Sequence, residues 1–462
     1  MIDLKGKGVL ILGFGAEGRA NLEFARKQGA KEIAVADQAA DLSLEPAESA
    51  AVSKIYPGSE WLSQIHTYDV MLRSPGVPLR HLEKIRRDHP EIAITSGTDI
   101  FLNAHGAKTI GITGTKGKST TSSLIYSALS AAGYNAKFGG NIGLAAVNLL
   151  EQPADIYVLE LSSYQLADIS NSPSTSLFLN LFPEHLDHHG NFESYGLAKA
   201  NISRFQKAGD RLVLPHDFAV IDSLTHSYLG DRITWGDPRG SAWLEDNVYF
   251  YRDPSGITHR VCHANDTILK GPGNKRNIQA VLAALSHLMI APDVLARVIT
   301  TFKPLPHRLE NVGTIKGITF INDSISTVPE AAINALETFG RQVKTVILGG
   351  YDRGVSFNTL ATHLIASTEV TTVILFPPSG SRIAQTLREH PDFQSRGIKI
   401  LSVENMCDAI SLAYRETPVG AVCLLSPASP SFPIFKNFEE RGAIFRTEVL
   451  KISERQEEAP ID

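Results

Sequence analysis

The sequence predicts an α/β protein of three domains, and three observations predict it. Short β-branched runs alternate with helix-length segments along most of the 462 residues. Two glycine-rich turns, Gly13–Gly18 and Thr113–Ser119, each join an apolar strand to a helical pattern. Two junctions marked by Gly or Pro, near 96–106 and 303–307, are each followed by a fresh strand–helix pattern. They divide the chain into 1–96, 97–304 and 305–462.

Strands are expected at 8–12, 32–36, 69–73 and 92–95, then at 108–113, 155–160 and 176–181. The last third adds 318–322, 343–348, 371–376, 398–402 and 420–425. Strands separated in this way by helix-length segments form parallel sheets with crossover helices. The stretch 209–270 differs. It has short strands such as 246–251 between Asp-Pro turns, and predicts an antiparallel excursion within the middle domain.

Composition excludes several classes. A 43% hydrophobic content supports full cores, and the net charge of −5 argues against a basic nucleic-acid binder. Cys262, Cys407 and Cys423 stand far apart, outside any metal spacing, which fits a reducing compartment. No apolar run approaches the length of a membrane span, and the N-terminus lacks an apolar signal region. The expectation is a cytoplasmic protein that binds neither nucleic acid nor membrane.

Gly13-Phe14-Gly15-Ala16-Glu17-Gly18 follows the run Val9–Leu12, and Asp37 closes the next strand. This is the spacing of a dinucleotide fingerprint: a glycine turn, a helix N-terminus for a pyrophosphate, and an acid for a ribose. Taken alone it suggests an NAD-dependent dehydrogenase. The second turn competes with that reading. Thr113-Gly114-Thr115-Lys116-Gly117-Lys118-Ser119 has the chemistry of a phosphate loop, although Ile112 occupies the first glycine position of the strict pattern. Lys118 would reach the β- and γ-phosphates, and the Ser119 hydroxyl would ligate Mg²⁺. A dehydrogenase has no need of such a loop.

The ordered set of motifs resembles the Mur ligases, and among them the branch that adds glutamate to UDP-N-acetylmuramoyl-L-alanine. After the two turns come Gly139–Gly143, Leu159–Leu166, Asn180–Asp187 and Ala198–Ala200. Asn274–Asn277, Leu305–Arg308, Ile321–Ser324 and Lys436–Gly442 complete the series. The resemblance implies a Rossmann-like UDP-binding domain, a central P-loop ATPase-like domain with a parallel sheet, and a C-terminal Rossmann-like domain for the amino acid. It implies an ATP-dependent amide synthesis in peptidoglycan precursor synthesis, and with it a part in cell-wall growth, cell shape and division. The substrate carboxylate becomes an acyl phosphate, which the glutamate amine then displaces. A monomer acting on small molecules is implied.

The same resemblance assigns residues. Gly114, Thr115, Lys116, Gly117, Lys118, Ser119 and Thr120 would hold ATP, with Asn274 and Asn277 on its adenine side, Arg308 at its phosphates and Asp323 at its ribose. Ser119 and Glu160 would ligate one Mg²⁺. His185, together with Lys199 converted by CO₂ to a carbamate, would ligate a second. Lys118, Lys199 and His185 are thus the catalytic candidates. An isolated lysine such as Lys199 otherwise solvates a helix face, and His188 and His189 are read as surface loop histidines. Gly15, Ala16, Glu17, Asp37, Ser74 and Gly76 would meet the UDP group, and Asn141, Ser162 and Gln165 the rest of that substrate. Thr327, Arg353, Ser431 and Phe438 would form the glutamate pocket, where Arg353 offers a bidentate grip on a carboxylate.

The chain departs from the pattern at three places. Gly273 replaces a common histidine, Ile325 a lysine of the D-glutamate adders, and Ser426–Phe432 a more usual S-P-A-C-A-S. D-glutamate is favoured, and L-glutamate, another Mur-type amino acid or a folate-type ligation are the alternatives. A nucleotide-sensing module without catalysis is a further reading, at odds with the retained metal ligands.

Overall fold

The structure is a computed structural model that describes residues 2–39, 42, 44–62, 67–184, 186–303, 306–352 and 355–454. Three sheets organise it. The first contains β1 (Gly8–Leu12), β2 (Glu32–Asp37), β3 (Lys54–Pro57), β4 (Val70–Arg73) and β5 (Ala93–Thr95). All pair in parallel, in the order β3-β2-β1-β4-β5. Strand β1 is central, and Val9 to Leu12 are wholly buried. The chain winds to one side of β1 and then to the other, so a crevice opens at the carboxyl ends of β1 and β4. The edge strand β3 was not anticipated; its residues are largely exposed and lack an apolar run.

The second sheet has nine strands, β6 (Thr109–Thr113), β7 (Ala136–Gly140), β8 (Ile156–Glu160), β9 (Thr175–Phe178), β10 (Arg211–Pro215), β11 (Asp231–Trp235), β12 (Ala242–Glu245), β13 (Val248–Arg252) and β14 (Thr258–His263). Their order is β14-β13-β12-β11-β10-β9-β6-β8-β7. Strand β6 lies between β8 and β9, parallel to both. Among the described residues only the pairings β12–β13 and β13–β14 are antiparallel, β12 lying parallel to β11. The expected excursion over 209–270 is therefore too wide. Strands β10 and β11 continue the parallel sheet, because the helix Ala219–Thr225 carries the chain back between them.

The third sheet, β15 (Glu310–Ile315), β16 (Ile318–Asn322), β17 (Val343–Gly349), β18 (Thr372–Phe376), β19 (Lys399–Ser402) and β20 (Val422–Leu425), has the order β15-β16-β20-β17-β18-β19. It is parallel except for the β15–β16 hairpin. Alternation along β17 puts Val346 and Leu348 on one core with Leu336, Leu360 and Leu387, and Ile347 on the other with Ile410 and Phe445. Both faces are thus covered by helices.

The chain forms two compact units. One is Met1–Thr267 with Asn274–Phe302 and holds the first two sheets; the other is Ile268–Gly273 with Lys303–Asp462 and holds the third. Among the described residues no helix is long and apolar enough to cross a membrane.

Candidate active site

In the first unit, the turn after β1 and the segment after β4 frame a cleft of about 400 Å³. Gly13 adopts φ +81°, and its carbonyl accepts a 2.6 Å hydrogen bond from Ser74 Oγ. A Cβ on Gly18 would stand 2.2 Å from the same carbonyl oxygen, so only glycine lets the helix Ala16–Lys27 start this close to the strand. Gly15, Ala16, Glu17, Asp37, Ser74 and Gly76 line this cleft together, and Trp61, which the sequence did not single out, joins them. Asp37 shapes the turn as well as lining it. Its Oδ2 accepts from Phe14 N at 2.6 Å and its Oδ1 from Ala39 N at 2.8 Å.

Beneath the cleft lies an unforeseen ion pair. Arg73 donates from Nε and Nη2 to both carboxylate oxygens of Asp168, each at 2.6 Å. Both side chains are almost wholly buried. Arg73 also donates to the Val77 carbonyl at 2.8 Å and the Tyr164 carbonyl at 2.7 Å, so its remaining N–H groups are used on backbone. Nearby, Gln165 Nε2 donates to Glu17 Oε1 at 2.6 Å. The same Gln165 forms a capping box with Ser162, which starts the short helix Ser163–Leu166.

The second turn is built more tightly. Gly114 (φ +150°) and Gly117 (φ +86°) bracket the loop between β6 and the helix Lys118–Ala131. A Cβ on Gly117 would lie 2.3 Å from Asn277 Oδ1, and Asn277 Nδ2 donates to Asn274 Oδ1 at 3.2 Å. Asn277 thus sits against the loop, with Asn274 bonded to it. Asn180, beyond the end of β9, clamps the loop's other side. Its Oδ1 accepts from Lys116 N at 2.8 Å, and its Nδ2 donates to Lys116 O at 2.9 Å. Phe182 N donates to Thr115 Oγ1 at 2.9 Å, and Lys116 Nζ pairs with Glu184 at 2.9 Å. Ser119 and Thr120, in the helix's first turn, are buried. Lys118 Nζ folds back onto the carbonyls of Gly114 and Thr115, at 3.0 and 3.2 Å.

Lys199 lies on the inner face of the helix Phe192–Arg204, 2% exposed, and its Nζ donates to the Gly114 carbonyl at 2.9 Å. It is not a solvated helix lysine. Burial, reinforced by the Lys118 charge, holds its pKa well below the usual lysine value. Glu160 ends β8, 1% exposed. Its Oε1 accepts from Asn141 Nδ2 at 2.7 Å, while Oε2 is buried without a hydrogen-bond partner among the described residues. An orphaned carboxylate oxygen beside a glycine turn that opens a helix fits a hard divalent cation such as Mg²⁺.

His185 lies outside the described residues. His188 and His189 belong to the short helix Leu186–His189 and are half-buried, not surface loop residues. The His189 ring stacks on Tyr164 at 5.5 Å, and the His188 ring meets the Tyr164 ring edge-on at 4.2 Å.

In the second unit, the ends of β16 and β20 converge on Asp323, which is 3% exposed. Its oxygens accept from Ser326 Oγ, from Ser426 Oγ at 2.8 Å and from Leu309 N at 3.2 Å. Burial nevertheless raises its pKa to about 6. Arg308 Nε is buried without a hydrogen-bond partner among the described residues, and the guanidinium's charge acts on Asp323, opposing the rise. Ser431 is buried, while Thr327 and Phe438 are half-buried. Arg353 lies outside the described residues. Arg441, which sequence reasoning passed over, is fully buried and ties these loops together. It donates to Ser324 Oγ at 3.0 Å, Ser324 O at 2.8 Å and Ser429 O at 3.0 Å. Burial lowers its pKa to about 9. The only sequence signal for it was its place inside Lys436–Gly442.

Residues 112–285 match the family described as Mur ligase middle domain, and 307–429 match Mur ligase, glutamate ligase domain. The chain is 35% identical to a UDP-N-acetylmuramoyl-L-alanine–L-glutamate ligase of Salinispora tropica, covering 96% of this chain and 97% of that one. It is 33% identical to a UDP-N-acetylmuramoylalanine–D-glutamate ligase of Acetivibrio thermocellus, covering 97% of each. Among solved structures it resembles the MurF ligase of Thermotoga maritima in complex with ADP. That likeness has a TM-score of 0.57 at 19% identity, covering 97% of this chain and 96% of that one.

Proposed function

The chain belongs to the Mur ligase family, and on that premise we propose that it joins glutamate to the L-alanine carboxylate of UDP-N-acetylmuramoyl-L-alanine at the expense of ATP. The observation that carries the reading is the convergence on one phosphate loop of Lys118, the buried Lys199 and the half-satisfied Glu160. Sheet by sheet, the proposed division is a UDP domain over 1–96, an ATP domain over 97–304 and an amino-acid domain over 305–462.

The loop amides and Lys118 would grip the triphosphate and oppose the repulsion between the γ-phosphate and the incoming carboxylate. Ser119 and Glu160 would hold one Mg²⁺, and His185 with carbamylated Lys199 a second; these ions supply further neutralisation of the phosphate charge. A lysine whose amine is driven neutral by burial is the form that attacks CO₂, so its surroundings suit carbamate formation. Asn141 orients Glu160, and Asn180 fixes the loop. Asn274 and Asn277 would meet the adenine side. The cleft beside Gly13–Gly18 would hold the UDP diphosphate, and Trp61 and Asp37 would meet its nucleoside end. Arg308 would contact phosphate and Asp323 the ribose. Thr327, Arg353, Ser431 and Phe438 would receive glutamate, on a floor set by Arg441.

The resemblance favours D-glutamate. L-glutamate is the second reading, supported by Ile325 in place of a lysine and by the similarity to the Salinispora enzyme. Phosphate release with UDP-N-acetylmuramoyl-L-alanine, ATP and Mg²⁺, run separately with D- and L-glutamate, tests both points. Turnover with one enantiomer is expected, and no turnover with either would overturn the proposal.

A further inference from the structure

Resting on the reading that the Gly13–Gly18 cleft holds the UDP diphosphate, we propose that Glu17 acts there as a protonated carboxylic acid that donates a hydrogen bond to the diphosphate. Binding of the nucleotide sugar would then take up a proton.

An acid in an anion cradle is a conflict that the geometry resolves in one direction. Glu17 stands in the first turn of the helix Ala16–Lys27 and lines the cleft. Its Oε1 is held by Gln165 Nε2 at 2.6 Å, which leaves Oε2 for a ligand. An ionised carboxylate offers only acceptor oxygens, as a diphosphate does, and the two repel. A neutral carboxyl offers an O–H, the donor that a phosphate oxygen accepts.

Burial favours the neutral form, against the positive end of Glu17's own helix. Burial raises the Glu17 pKa to about 7, and Asp168 adds to the rise, against lowering by the Gln165 bond and by Arg73. Arg73 cannot act as a free counter-ion, because Asp168 engages its guanidinium on two oxygens. Asp37 lines the same cleft from the end of β2 and adds no positive charge. Arg19, on Glu17's own helix, is drawn to Glu48. A diphosphate entering this cleft brings more negative charge and raises the pKa further.

The sign follows. Below about pH 7 the carboxyl carries its proton and donates. Above it the ionised group must be reprotonated before it can donate, so affinity falls by up to about tenfold per pH unit. Titration calorimetry of UDP-N-acetylmuramoyl-L-alanine from pH 6 to 9, in two buffers of different ionisation enthalpy, reads both affinity and proton uptake. This ligand's diphosphate is a diester and does not titrate in that range. Wild type should weaken with rising pH and take up close to one proton near pH 8. Glu17→Gln, which keeps a donor and cannot ionise, should flatten the profile and take up none. The same slope and uptake in Glu17→Gln would overturn the proposal. Gly15→Asp separates this from the underlying reading. Its Cβ meets open space, and it sets a fixed negative charge at the helix N-cap. Binding that is absent from wild type, or untouched by Gly15→Asp, would remove the cleft as the diphosphate site.

Discussion

The two glycine turns share one backbone design and differ in their side chains. Each follows a buried parallel strand and opens a helix, so each presents N–H groups and a positive helix end to an anion. The cleft at Gly13–Gly18 is lined by the polar side chains Glu17, Asp37, Gln38 and Ser74, with the Arg19 guanidinium turned over the Phe14 ring and paired with Glu48. Around Thr113–Ser119 stand Lys116, Lys118 and Lys199, together with Asn180, Asn277 and Glu184, and Glu160 ends the neighbouring strand. A diphosphate that is only held needs hydrogen bonds and a fitted turn. A triphosphate that reacts needs cations where charge builds up. On the proposed function, backbone shape marks a phosphate site, and the side chains say whether chemistry happens there.

Removing cations from the second turn should break the contrast most severely. Lys118→Ala is expected to lower phosphate release by about a thousandfold or more, with binding of the UDP substrate unchanged. Substantial turnover in that variant would take the triphosphate away from this loop. Lys199→Ala comes next, with a loss of about a hundredfold or more. Short carboxylates such as formate should restore part of the rate by supplying an oxygen ligand. Full activity without them would rule out the carbamate.

Alanine at the first turn's glycines should act sterically. Gly18→Ala forces a Cβ against the Gly13 carbonyl. It should cost about 1–3 kcal/mol in a denaturant titration and raise KM for the UDP substrate while KM for ATP holds. Gly15→Ala meets nothing within 4 Å and should cost less than about 1 kcal/mol. Equal costs at the two glycines would show that the turn's close approach at Gly18 does not matter.

Much of the fold was legible because buried parallel strands are continuous apolar runs. Val9–Leu12, Val70–Leu72 and Val346–Leu348 announce themselves this way. Two of the edge strands do not. Lys54–Pro57 and Glu310–Ile315 are buried only in part and look like loop. At the site, the glycines were readable because each answers a local demand on the backbone. The family pattern pointed to Lys199, but its burial rests on the Gly114 carbonyl 85 positions away, and no local pattern encodes that. The Arg73–Asp168 pair and Arg441 were missed for the same reason. Each reads as a surface charge until the segments that enclose it are brought together.

The Arg73–Asp168 pair also limits how this chain can be cut. The two residues are 95 positions apart, on opposite sides of the junction near residue 96. A fragment that starts after that junction keeps Asp168 and loses its guanidinium. It must then bare the carboxylate to water, protonate it, or leave a lone charge inside, at a cost of about 3–5 kcal/mol. Excision at the most obvious seam is therefore penalised by a single shared pair of charges. A fragment carrying Asp168→Leu should be easier to obtain than one with the native residue.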